Sequence, residues 1–165
     1  MKRLILVRHA KSSWKDASLA DFDRPLNKRG KQDVQVMGNR LAQRGIAPDC
    51  IVSSPARRAR RTARAVAETL DYPEEDILFE DVIYEAGVPD LLQVVRCLDD
   101  SDDEVILVGH NPGFTDLCNR LSGETIANLP TCAAACIAFD LSSWSQVGPE
   151  TGELAFFDYP KRGTS

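Results

Sequence analysis

The chain has 165 residues, 43% of them hydrophobic and 27% charged, and a net charge of −5. That length and composition suit one globular domain spanning residues 1–165 with a real core. The acidic balance excludes a molecule built to sit on nucleic acid or an anionic membrane, and no apolar run approaches the roughly 20 residues of a bilayer span.

Met1-Lys2-Arg3 followed by four apolar residues has the start of a signal peptide but not its length, since an apolar core of about 7–15 residues is needed. The expectation is a cytoplasmic protein. Leu4 to Val7 reads as a strand buried on both faces, because nothing polar alternates with the hydrophobes. It ends in Arg8 and His9, at the strand edge where open α/β sheets bind ligands. Lys11 to Pro25 is polar and without period, a loop over that edge. Leu26-Asn27 then opens a helix, with Asn27 as N-cap, Val34, Met37, Leu41 and Ala42 on its apolar face, and Arg44-Gly45 at its end.

Cys50-Ile51-Val52 is a second short strand, stopped by Ser53-Ser54-Pro55. Ala56 to Leu70 is a helix with five arginines between positions 57 and 64. At about 100° per residue, Arg57, Arg60, Arg61 and Arg64 share one arc, opposite the stripe Ala59, Ala63, Val66 and Leu70. Those four form a solvated face. Arg58 lies about 100° away, in the first turn after a strand, and points toward the edge that carries His9.

Ile77 to Phe79 is a third strand, Asp81 to Gly87 a connection, and Pro89 to Leu98 a helix with Leu91, Leu92, Val95 and Leu98 on one face. Val105 to Val108 is another buried strand, ending in Gly109-His110, the second of only two histidines. Asn111-Pro112-Gly113 turns into a short helix over 114–121, whose N-terminus would aim partial positive charge at the neighbourhood of His110. Cys132 to Phe139 and Gly152 to Asp158 are the last strands, joined by a polar turn through Trp144 and therefore antiparallel. Residues 160–165 read as a loose tail. The five cysteines have no CxxC spacing, so they read as small core residues in a reducing compartment. The fold class is α/β: a three-layer α/β/α sandwich around a mostly parallel sheet with one antiparallel strand.

Arg8, His9, Arg58 and His110 thus converge on one sheet edge. Two guanidiniums match the oxygens of a tetrahedral dianion. One imidazole can attack phosphorus and the other can hydrogen-bond a phosphoryl oxygen, its charged form favouring the spreading charge of the transition state. Phosphoryl transfer asks mainly for positioning and electrostatic complement, and this set supplies both with no metal and no cofactor.

Arg8-His9-Ala10, Ser53-Ser54-Pro55-x-x-Arg58-Ala59-x-x-Thr62-Ala63 and Gly109-His110-Asn111-Pro112 occur in order along the chain. Together they resemble the signatures of the histidine phosphatase superfamily, the phosphoglycerate mutase-like fold. Arg24-Pro25-Leu26-Asn27-x-x-Gly30 and Leu129-Pro130-Thr131 are similar to the small branch typified by SixA phosphohistidine phosphatases. The resemblance implies that His9 is the nucleophile carrying a transient phosphohistidine. It implies that Arg8, Arg58 and His110 line the phosphate pocket, and that Glu85 stands where larger members place a general acid. Its implied substrate is phosphohistidine in a protein, for example a histidine phosphotransfer domain, and its implied state a monomer.

The alternatives are a small-molecule phosphomonoesterase of the same fold, a non-catalytic phosphate-binding module, a metallohydrolase and an RNA-binding module. A zinc site usually needs three or four protein ligands, and no carboxylate has motif spacing to either histidine. The net charge and the lack of aromatics along the arginine helix argue against RNA.

Overall fold

Leu4 to Val7 forms the middle of β1 (Lys2–Arg8), with strand neighbours on both sides and every apolar side chain buried. The structure, a computed structural model, describes residues 1–162. The elements that follow are α1 (Lys28–Gln43), β2 (Cys50–Ser53), α2 (Arg57–Thr69), β3 (Leu78–Phe79), α3 (Val88–Arg96), β4 (Glu104–Gly109), α4 (Gly113–Ser122), β5 (Ala134–Phe139) and β6 (Gly152–Asp158). The six strands form one sheet in the order β3-β2-β4-β1-β5-β6. Only β5 runs against the others: it is antiparallel to both β1 and β6, while β3, β2, β4 and β1 are mutually parallel.

The expected three layers are present because the pleat sends alternate side chains to opposite faces. Leu4 and Leu6 join Val105, Leu107, Leu91, Val95, Phe114 and Leu117 on the face covered by α3 and α4. Ile5 and Val7 join Ile106, Val108, Val34, Met37, Ala59 and Val66 on the face covered by α1 and α2. β1 and β4 are neighbours, yet the helices that follow them leave toward opposite faces. That topological switch opens a crevice between their carboxyl ends. Arg8 pairs with Gly109 and Ser53 with Val108, so the three strand ends are level.

Asn27 caps α1 by accepting from the Gly30 N–H at 2.8 Å, and Gly45 closes it at φ 77°. A Cβ at Gly30 would run into the Lys11 carbonyl, so the glycine lets the helix start lie directly on the chain leaving β1. Lys11 O also accepts from Asn27 N–H at 3.0 Å.

Several expectations are corrected. Ala42 is exposed, and Gly38 completes the buried face of α1 instead, against Thr69 of α2. Of the four arginines assigned to a solvated face only Arg61 is exposed; Arg57, Arg60 and Arg64 are half-buried, because their long stems lie along the protein while their heads reach out. Trp144 is not part of an exposed turn but a buried core side chain, its indole N–H donating to Asp102 O at 2.7 Å. Four cysteines are buried as expected, whereas Cys97 is exposed just past α3. Pro160 is buried, and Arg40 donates to Tyr159 O and Pro160 O, so the chain is tied down there. The rest of the expected tail, 163–165, lies outside the described residues. Among the described residues, no helix is long and apolar enough to cross a membrane.

Candidate active site

The crevice between β1 and β4 is a cleft of about 400 Å³ whose lining includes Arg8, His9, Arg58 and His110. The four residues expected to meet do so. His9 follows β1 and His110 follows β4, and their rings stand 5.1 Å apart. Both are nearly buried, at 7% and 9% exposure, as is Arg58 at 6%. Thr62 connects two of the motifs: its hydroxyl donates to Arg58 O at 2.8 Å and accepts from the Ala10 N–H at 3.0 Å. The first turn of α2 is thereby fastened to the backbone beside His9.

The hydrogen bonds set the state of each imidazole. His9 Nδ1 is 2.7 Å from Ala10 O, which can only accept. Nδ1 therefore carries the proton and Nε2 keeps a lone pair. Burial lowers the His9 pKa to about 4, helped by the charges of Arg58, Arg8 and Arg24 and opposed by the Ala10 carbonyl. His110 Nε2 is 2.7 Å from Ser54 Oγ. Ser54 is fully buried and its hydroxyl has no other acceptor among the described residues, so its proton goes to Nε2 and the imidazole proton sits on Nδ1. Burial lowers the His110 pKa to about 3, with further contributions from His9 and Arg58. Both rings are thus neutral at pH 7.

The arginines are held at their far ends. Arg8 donates through Nη1 to Leu129 O at 2.9 Å, and Arg58 donates to Asp21 O at 2.7 Å and to the Asp21 carboxylate at 3.0 Å. The Nε atoms of both, and Nδ1 of His110, are buried without a partner. Three unpaired donors on residues lining one cleft are costly unless a ligand accepts from them. Burial and the neighbouring Arg58 charge lower the Arg8 pKa.

Sequence reasoning missed the residues around the cleft: Ser12, Trp14 and Arg24 in its lining, and Asp21 and Tyr84 outside that lining, against Arg58 and His110. Asp21 is the hub: its carboxylate takes the Tyr84 hydroxyl at 2.6 Å and ion-pairs with Arg58 and Arg24. The Tyr84 hydroxyl, then Arg58 and Arg24, hold the Asp21 pKa down at about 2 against its burial. The same contact pushes Tyr84 up to about 12. Tyr84 also packs edge-on against His110, with ring centroids 5.6 Å apart. Arg24 is buried, donates to Ser12 Oγ at 2.5 Å and stacks 3.5 Å from the ring of Trp14, which is 76% exposed at the rim. Of these, only Arg24 carried a signal in the sequence, through its motif. Glu85 is exposed, adopts φ 62° and does not line the cleft. The start of α4 is not an open anion site either, since His110 O accepts from the Phe114 N–H and Asn111 Oδ1 from the Thr115 N–H.

Residues 4–85, which carry the Arg8-His9 and Arg58 motifs, match the histidine phosphatase superfamily (branch 1). An uncharacterized chloroplastic protein of Arabidopsis thaliana is 35% identical over 153 residues, spanning 88% of this chain and 70% of that one. The chain belongs to the histidine phosphatase superfamily. Within the superfamily its branch is the SixA type: a structure from Agrobacterium tumefaciens assigned to the phosphohistidine phosphatase SixA superposes with TM-score 0.81 and 28% identity, covering 96% of this chain and 98% of that one. A phosphoserine phosphatase of Hydrogenobacter thermophilus is 36% identical over 84 residues, 48% of this chain and 39% of that protein. This histidine phosphatase superfamily member is therefore a phosphatase, with a phosphoglycerate mutase-like fold.

Proposed function

We propose that the protein hydrolyses phosphohistidine in proteins through a phosphohistidine of its own at His9, without a metal. The observation that carries this reading is the pairing of His9 and His110 at 5.1 Å beside two arginines whose Nε atoms have no partner. His9 Nε2 attacks phosphorus, the bond from phosphorus to the substrate's imidazole nitrogen breaks, and that nitrogen leaves with the electron pair. Water then attacks the phosphorus on His9, releasing inorganic phosphate and regenerating the imidazole. Arg8, Arg58 and His110 Nδ1 donate to the phosphoryl oxygens as charge spreads over them.

The acid provision favours this substrate over an alkyl phosphate. Asp21 is held ionised by Tyr84, Arg58 and Arg24 and has no proton to give. Glu85 is left as the carboxyl assigned to protonate a basic leaving group, and it lies outside the lining of the cleft. An imidazole is a far weaker base than an alkoxide and needs less of that help. Among the described residues no three His, Cys, Asp or Glu side chains are grouped as a metal site requires. The reading also puts the protein in the cytoplasm, in keeping with five free cysteines.

The test is turnover, after EDTA treatment, of a phosphohistidine protein beside phosphoserine and p-nitrophenyl phosphate. The expected result is unchanged activity with the phosphohistidine protein fastest. A preference for the small monoester would replace the protein substrate with a small one, and loss of activity restored by a divalent ion would refute the metal-free route.

A further inference from the structure

A second groove lies just across a ridge of chain from the cleft. It runs between α1 and α2, encloses about 230 Å³, and sets Lys31, Arg57 and Arg61 around an apolar floor of Leu26, Val34 and Ala65. Three cations and no carboxylate line it, in a chain of net charge −5. Lys31 and Arg61 are exposed, and among the described residues their side chains have no hydrogen-bond or ion-pair partner. Arg57 has only a long contact, 3.5 Å to Asp23 O. Elsewhere Arg29, Arg40, Arg44 and Arg64 each meet a carboxylate.

Groove and cleft share a wall. Within the segment 24–27, Arg24 and Asn27 line the cleft while Pro25 and Leu26 line the groove. On α2, Arg58 belongs to the cleft and its neighbour Arg57 to the groove. A phosphoryl group seated at His9 therefore leaves the chain that carries it a few residues from three unneutralised cations.

We propose that this groove docks an acidic stretch, with one apolar side chain, that flanks the phosphorylated residue of a protein substrate. The proposal rests on the phosphoprotein reading above and adds what the phosphate cleft lacks, a means of telling one phosphoprotein from another. Each exposed ion pair contributes little alone, but several unpaired cations on one side of a cleft steer an acidic partner and fix its direction. The apolar floor holds one side chain of the docked segment away from water.

The experiment uses four peptides, carrying phosphohistidine or phosphoserine within either Asp/Glu-rich or neutral flanks. They are assayed with the wild-type protein and with a Lys31→Glu/Arg61→Glu double variant. The wild type is expected to show a KM about fivefold lower for acidic flanks, a preference that weakens as salt is raised. The double variant is expected to lose that preference while turning over p-nitrophenyl phosphate within about twofold of wild type, and Lys31→Arg/Arg61→Lys to keep it. Equal KM for both flanks in the wild type overturns the groove whatever the variants do, as does a preference that survives charge reversal. Phosphoserine faster than phosphohistidine with the flank preference intact leaves the groove standing and removes the phosphohistidine reading; phosphohistidine faster with no flank preference does the reverse.

Discussion

At the scale of single residues, the chemistry depends on which imidazole nitrogen carries a proton. The Ala10 carbonyl accepts from Nδ1–H of His9 and so leaves Nε2 its lone pair, and the Ser54 hydroxyl, donating to Nε2 of His110, leaves the ring proton on Nδ1. With folded pKa values of about 4 and about 3, both lie below the ordinary 6.5. An NMR titration of the chain's two histidines is expected to find both neutral at pH 6, and tungstate or phosphate to raise both by placing negative charge beside them. The sign for stability follows. Between about pH 6.5 and pH 3–4 the unfolded chain binds protons that the folded chain refuses, so this contribution is complete above 6.5 and is lost as the pH falls through that window. Denaturant midpoints that stay level from pH 7 to pH 4 would contradict the assignment. His9 and His110 were legible in the sequence because each ends a short, fully apolar run. Asp21 and Tyr84 were not: they stand in segments without period, and their place beside the cleft is decided by their contact with each other and with Arg58 and His110, distant in sequence.

Among the elements, α2 shows how far periodicity carries. Its phase separated Arg58 from its four neighbours correctly, since rotation alone places it toward the strand ends. Phase could not reveal that Arg57, Arg60 and Arg64 lie half-buried along the protein, because that depends on where α1 and the turn after α2 pack. The contrast is testable with a small phosphomonoester. Arg58→Ala is expected to lower kcat/KM by about a hundredfold or more, as loss of a charged donor to the transition state does. Arg61→Ala is expected to leave it within about twofold, as for an exposed charge outside the cleft. Equal losses from both would defeat the division of the helix. The same logic explains β3. Ile77 to Phe79 was recognisable as a strand, but at the sheet edge it has one neighbour and shortens to two exposed residues.

Over the whole molecule, the order of strands makes the site. β1 and β4 lie side by side although about a hundred residues separate them, and the helices after them leave toward opposite faces. The motifs of Arg8-His9, Arg58 and Gly109-His110 therefore meet at one edge without any being near another in sequence. That convergence was readable as a family resemblance and as a rule about strand ends; the groove beside it was not, because Lys31 and Arg61 come together only when α1 packs on α2. The central claim is a covalent phosphoryl group on His9. Rapid-quench labelling with a phosphorus-32 phosphohistidine protein tests it most directly. The account predicts acid-labile, base-stable label on the wild-type enzyme within the first turnover and none on His9→Ala, which keeps its fold but not its activity. Turnover by the wild type with no label, or a His9→Ala variant that still turns over substrate, would contradict it.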